Sequence, residues 1–230
     1  MAQDTCILFF SRSAATEAQH KAFGQGLTHR QNTRIAKGLI RHTRATIEAS
    51  GIPFVHYDES LQTGADFGEK LVDATHSVFD QGYEHIIIVG NDCPSLSTSQ
   101  LLLAKAQLEG GQQVLAPTPT GGFYLIGVSR HLFDPRQFLS CAWQTEHCYS
   151  TFVSASTSAY IVLEAANDIS EIRSFLVSAR EQIRALLLTI IGFSLAEYCS
   201  SAYRNIVYPP RCFSAAHPFR GPPLSVLFAV

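Results

Sequence analysis

Apolar residues fall into short unbroken runs, separated by stretches where they recur every three or four positions. Cys6-Ile7-Leu8-Phe9-Phe10 is the first run. It ends at Ser11-Arg12-Ser13 and predicts a buried strand opening into a loop. Residues 14–29 show no clear period. From Asn32 onward, Ile35, Leu39, Ile40 and Ile47 take helical spacing until Gly51-Ile52-Pro53 ends it. Phe54-Val55-His56-Tyr57 predicts a second strand. Between Asp66 and Asp80, Phe67, Leu71, Ala74 and Val78 share one helical face, and Gly82 stops the helix.

Ile86-Ile87-Ile88-Val89 has the β-branched, unbroken character of a strand covered on both faces. Ser97-Thr98-Ser99-Gln100 has capping-box spacing and predicts a helix that runs to Gly110-Gly111. Val114-Leu115-Ala116, Phe123 to Val128 and Ile161-Val162-Leu163 predict further strands, and Ser170 to Arg184 a helix. This alternation predicts an α/β fold with a mainly parallel sheet flanked by helices, Rossmann-like in type. Beyond about Ile191 the pattern dissolves into a tail marked by Pro209-Pro210, Pro218 and Pro222-Pro223. The expected organisation is a body over 1–184, with a C-terminal helix and extended tail over 185–230 packed on the body or on a second subunit.

Composition narrows the function. Charged residues make up 16% of the 230-residue chain, against roughly 25% in an average domain, so part of the surface is expected to be covered, as in a homodimer. The net charge of −2 supplies no broad basic field and argues against nucleic acid as a partner. Six arginines against two acids after Ile172 make the tail locally basic. The six cysteines form no C-x-x-C pair or zinc-spaced cluster, and the first residues lack a secretion signal. The expectation is reduced thiols in a cytoplasmic protein. The apolar stretch from Ala185 to Ala196 falls short of the roughly 20 residues that span a bilayer, so no transmembrane segment is expected.

Candidate chemistry gathers at predicted strand ends, where open α/β sheets bind ligands. Gly90-Asn91-Asp92-Cys93-Pro94 follows the Ile86–Val89 strand directly, and Asp92 there suits a hard cation such as Mg²⁺ or Mn²⁺. A turn in which Asp92 caps local amides is equally open. Gly121-Gly122 before a strand allows backbone to lie against a substrate, or simply makes a turn. In Gln62 to Glu69, Asp66 reads best as an N-cap. Trp143, the only tryptophan, is a core residue or a stacking surface. Asp168, after the Ile161–Leu163 strand, is a helix cap or a second metal ligand. Cys93 lacks a neighbouring cation to activate it in sequence.

Taken in order, IIIVGNDCPSL over 86–96, Val114-Leu115-Ala116-Pro117, Gly121-Gly122-Phe123-Tyr124-Leu125-Ile126-Gly127, Phe138 and Trp143-Gln144-Thr145 resemble the bacterial GT-A-like transferases sometimes labelled radical-SAM/selenodomain-associated. That family belongs to the nucleotide-diphospho-sugar transferase superfamily. The resemblance covers roughly residues 5–178. It implies a GT-A fold, a divalent cation (Mg or Mn) and a nucleotide or nucleotide-sugar donor. Carried over, Asp92 matches the family's metal-binding aspartate, Gly121 and Gly122 its Gly-Gly segment lining the donor site, and Gly64, Asp66 and Gly68 its Gly-x-Asp-x-Gly loop. Beside these, Asp92 is the candidate catalytic residue, Asp168 the candidate second metal ligand, and Arg12, Asn91 and Trp143 candidate donor-site residues.

The chain departs from the family in three places. Relatives carry a basic loop after the first strand, where only Arg12 and Lys21 stand here; Thr120 replaces an aspartate, and Ser170 another. Fewer carboxylates predict weaker metal affinity. The leading expectation is glycosyl or nucleotidyl transfer from a nucleotide-linked donor. The rival is a non-catalytic scaffold on a degenerate GT-A fold, which a lone carboxylate in the pocket would favour.

Overall fold

The computed structural model describes residues 4–24 and 27–169. The helix expected over 170–184, the Ala185–Ala196 stretch, Ser170 and the tail lie outside the described residues. Six strands form one sheet: β1 (Thr5–Phe10), β2 (Phe54–Tyr57), β3 (His85–Val89), β4 (Gln113–Pro117), β5 (Phe123–Ser129) and β6 (Tyr160–Val162). The order across the sheet is β2-β1-β3-β5-β4-β6. β1 pairs parallel with β2 and β3, and β4 pairs parallel with β6; β5 alone runs antiparallel, between β3 and β4. The mainly parallel α/β sheet expected from the sequence is present.

β1 is buried along its whole length, as are Ile86 to Val89 and Tyr124 to Ser129. This explains their unbroken apolar runs, since each is covered on both faces. On one face Leu8, Phe10, Ile86 and Ile88 pack against α3 (Phe67–Asp80), α5 (Pro135–Leu139) and α6 (Cys148–Ser154) through Leu71, Val78, Phe138 and Phe152. On the other, Ile7, Phe9, Ile87 and Val89 pack against α2 (His29–Ser50) and α4 (Thr98–Glu109) through Ile47, Leu101 and Leu108.

Local chemistry sets the boundaries. Ser97 and Gln100 form the expected capping box at α4, and Asp66 caps α3 by accepting from the Glu69 N–H. α2 starts at His29, earlier than its apolar period, because Thr28 and Gln31 form a capping box of their own. The period-less stretch holds a seven-residue helix, α1 (Ala14–His20), capped by Ser13. Among the described residues no helix is long and apolar enough to cross a membrane.

Candidate active site

The carboxyl ends of β1, β3 and β4 and the amino end of β5 lie on one edge of the sheet. A cleft of about 460 Å³ opens there, within the roughly 300–1,000 Å³ of small-molecule sites. Ser11 and Arg12 line it after β1, and Gly90, Asn91 and Asp92 after β3. Thr120 and Gly122 come from the β4–β5 turn, and Trp143 to Glu146 from the loop before α6.

The segment after β6 crosses this edge. Leu163 N–H donates to Leu115 O at 2.8 Å, Ala166 N–H to Pro117 O at 3.2 Å and Ile169 N–H to Asp92 O at 2.7 Å. That path delivers Asp168 into the cleft beside Asp92. Burial first, and then the Asp92 charge, push the Asp168 carboxyl above its usual range; the Thr120 hydroxyl, which donates to its Oδ2 at 3.0 Å, works against this. The Lys21 ammonium donates to Asp92 Oδ2 at 3.1 Å. Asn91 is 7% exposed, and its buried Nδ2 has no hydrogen-bond partner.

The residues present fit a divalent cation in part. Among the described residues no group of three or more His, Cys, Asp or Glu side chains converges to hold a metal. Two facing carboxylates whose charges oppose each other are, however, the hard-oxygen set that Mg²⁺ takes when substrate phosphates complete its shell. Lys21 already meets part of that negative charge.

The opposite wall is aromatic. Phe67, Phe123 and Trp143 line the cleft, with Phe67 and Trp143 centroids 5.2 Å apart. The Trp143 Nε1–H donates to Phe138 O at 2.6 Å, so its indole offers the cleft only ring surface. Gln144 beside it holds φ 63°, an uncommon conformation for a residue with a side chain. Lys70 also lines the cleft and has no ion pair among the described residues.

Of the sequence-predicted site residues, Arg12, Asn91, Asp92, Gly122, Trp143 and Asp168 line the cleft together. Arg12 is partly neutralised by Glu17 at 3.4 Å. Gly64, Asp66, Gly68 and Gly121 lie outside the lining. A Cβ on Gly68 would stand 3.0 Å from Phe138 O and 3.2 Å from Trp143 Nε1, so this glycine lets α3 approach the tryptophan. Gly121, at φ 88°, lies flat against the Glu146 backbone and accepts from the Tyr149 N–H at 2.7 Å. Both position the aromatic wall.

The sequence pointed to Lys21 only as a stand-in for a basic loop, and Lys70 went unremarked. Lys70 had a legible signal: it stands three residues after Phe67, on the same helix face. The Lys21 contact with Asp92 left no signal, because it spans 71 positions. Cys93 is buried, and burial pushes its thiol up to about 11, against a nucleophilic role.

Residues 44–145 match the model of a family described as an uncharacterized protein conserved in bacteria (DUF2064). No curated protein matches the chain. A solved structure from Desulfovibrio desulfuricans G20, described as a "putative nucleotide-diphospho-sugar transferase", is similar at 19% identity and a TM-score of 0.63, over 83% of this chain and 98% of that one. Two mycobacterial structures also align. The homolog of Rv0371c from Mycobacterium sp. strain JC1 does so at 10% identity and TM-score 0.46, over 84% of this chain and 100% of its own. Rv0371c from Mycobacterium tuberculosis H37Rv gives 11% and 0.45, over 81% and 98%. The Desulfovibrio likeness establishes a shared α/β fold.

Proposed function

We propose that the chain is a metal-dependent transferase acting on a nucleotide-linked donor, glycosyl or nucleotidyl, in the cleft between Asp92 and Trp143. One observation carries the reading: two aspartates from separate strand ends meet in one cleft, at a cost in charge repulsion that a cation would relieve. The Desulfovibrio protein's description supports the same class of donor.

Asp92 and Asp168 would hold the Mg²⁺ or Mn²⁺. Bound there with the donor, the ion would supply neutralisation of charge on the phosphoryl oxygens. The chain's own residues do the rest. Thr120 orients the Asp168 carboxylate through its hydroxyl. Lys21 and Lys70 bring ammonium groups to the cleft, where they attract phosphate. Phe67, Phe123 and Trp143 present ring faces for a base or sugar and keep water off that wall. A lone carboxylate would favour the scaffold alternative; Asp168 beside Asp92 supports the transferase reading.

The test is a thermal-shift panel of nucleotides and nucleotide sugars, each with Mg²⁺, Mn²⁺ or EDTA. Ligand at a hundredfold excess over Kd stabilises by about 2.7 kcal/mol. A metal-dependent rise with one nucleotide class is expected, lost in Asp92→Ala and weakened in Lys70→Ala. Unchanged affinity in a folded Asp92→Ala protein overturns the reading.

A further inference from the structure

Two thiols sit behind the aromatic wall. Cys141 lies just beyond α5 and Cys148 opens α6; they are 8% and 3% exposed. Their sulfurs stand 3.5 Å apart. A disulfide needs about 2.05 Å, so closure asks for roughly 1.5 Å of travel shared by two side chains. Between them run residues 142–147, of which Trp143, Gln144, Thr145 and Glu146 line the cleft, as does Cys148 itself. A small oxidant in the cleft therefore meets Cys148, with the Cys141 sulfur 3.5 Å from it, without unfolding the chain.

The two sulfurs are not equivalent. The Cys148 thiol and the Thr151 hydroxyl, 3.8 Å away, both face the Cys141 sulfur. The Cys148 thiol above all holds the Cys141 thiol below its ordinary range, against the effect of burial, while Cys148 is pushed up. Whichever sulfur peroxide oxidises first, the other stands 3.5 Å away to resolve it. Cys6 and Cys93 contrast with them, since burial raises each to about 11.

We propose that Cys141 and Cys148 are a redox modification site: hydrogen peroxide converts them to a reversible disulfide that ties the ends of the 142–147 loop and fixes the Trp143 wall. In the first step the thiolate of one of the two attacks one peroxide oxygen. The O–O bond breaks, that cysteine becomes a sulfenic acid, and the departing hydroxide takes up a proton as water. In the second, the other cysteine's sulfur attacks the oxidised sulfur, the S–O bond breaks, and the leaving hydroxide takes the attacking thiol's proton as a second water. Two thiols lose two electrons and one peroxide gains them.

The full chain carries a single tryptophan, so its emission reports this loop. After peroxide treatment, peptide mapping without reductant should give Cys141 joined to Cys148 with the loss of two hydrogens. Trp143 emission should change, and dithiothreitol should reverse both. Cys148→Ser and Cys141→Ser should each form no disulfide, and a sulfenic acid on the cysteine that remains should be trapped by dimedone. Because mapping of the unsubstituted chain needs no variant to fold, three results overturn the proposal: both cysteines staying reduced while others oxidise, a link from either to a different cysteine, or a Cys141–Cys148 link that leaves Trp143 emission unchanged.

Discussion

The Ile169 N–H donates to the Asp92 carbonyl at 2.7 Å, and this bond fastens the segment after β6 to the end of β3. It makes the two carboxylates neighbours although 76 positions separate them in sequence. The cleft's charge balance follows from that contact, and it can be perturbed from either side.

Asp168→Asn should stabilise the protein at neutral pH while weakening divalent-cation binding. The native pKa of Asp168 is raised, by burial and then by Asp92. The folded state therefore binds more protons than the unfolded one between the ordinary carboxylate value and the raised one, and stability is lost as pH rises through that window. The asparagine removes this loss. Its melting temperature should exceed the parent's at neutral pH, and the gap should close below about pH 4, where the unfolded aspartate is also protonated.

Lys21→Ala should bind Mn²⁺ alone several-fold more tightly. The ammonium at 3.1 Å competes with any cation for Asp92. The same variant should bind nucleotide phosphate more weakly, so calorimetry with metal alone and with nucleotide should move in opposite directions. Parallel loss of both would show that Lys21 serves only to hold α1 in place.

Glu59 accepts from the Ser13 N–H, the Ser13 hydroxyl and the Thr16 hydroxyl, joining the loop after β1 to the loop after β2. Burial opposes its charge, but these donors outweigh burial and hold its carboxyl down to about 2. A depressed native pKa gives stability that is full above the unfolded value and is lost as pH falls through the native one. Glu59→Gln should therefore lower the melting temperature at neutral pH. Its deficit should shrink between about 4.5 and about 2. A deficit constant with pH would mean that the lost contact, not the charge, matters.

Gly121→Ala and Gly111→Ala form a matched pair, since both sites have positive φ, 88° and 84°. A Cβ at Gly111 meets nothing within 4 Å, so the backbone cost alone applies, about 1–2 kcal/mol. At Gly121 it would fall on the Glu146 carbonyl oxygen at 2.1 Å, which requires the 144–149 segment to move. Urea unfolding should show the larger loss at Gly121, and only that variant should change Trp143 emission.

The elements most legible in sequence were those whose burial leaves a period. Ile86 to Val89 reads as a doubly covered strand, and Ser97 with Gln100 as a helix start, because each signal is local. α5 and α6 span five and seven residues, too short for a helical period to show, and α1 has only two buried positions. At the site, Asp92 was legible as a polar residue straight after an apolar run. The reversal of β5 was not, since a buried antiparallel strand and a buried parallel one carry the same apolar pattern. Thr120 stood out only as a departure from an expected aspartate; its hydrogen bond to Asp168 depends on a contact 48 positions away.

The reversal of β5 gives one rim of the cleft a freedom that the other rims lack. After β1, β2 and β3 the chain leaves this edge into helices, and a change of loop length there would re-aim a helix. After β4 it turns straight back, with Thr118 N–H bonded to Gly122 O and Gly121 N–H to Thr118 O. The tip of that hairpin can be re-lettered at Thr120, which is exposed, while both strands stay in register. The frame of the molecule and its adjustable jaw are thus separate pieces of chain, and a new ligand preference can be acquired at the jaw without refolding the frame.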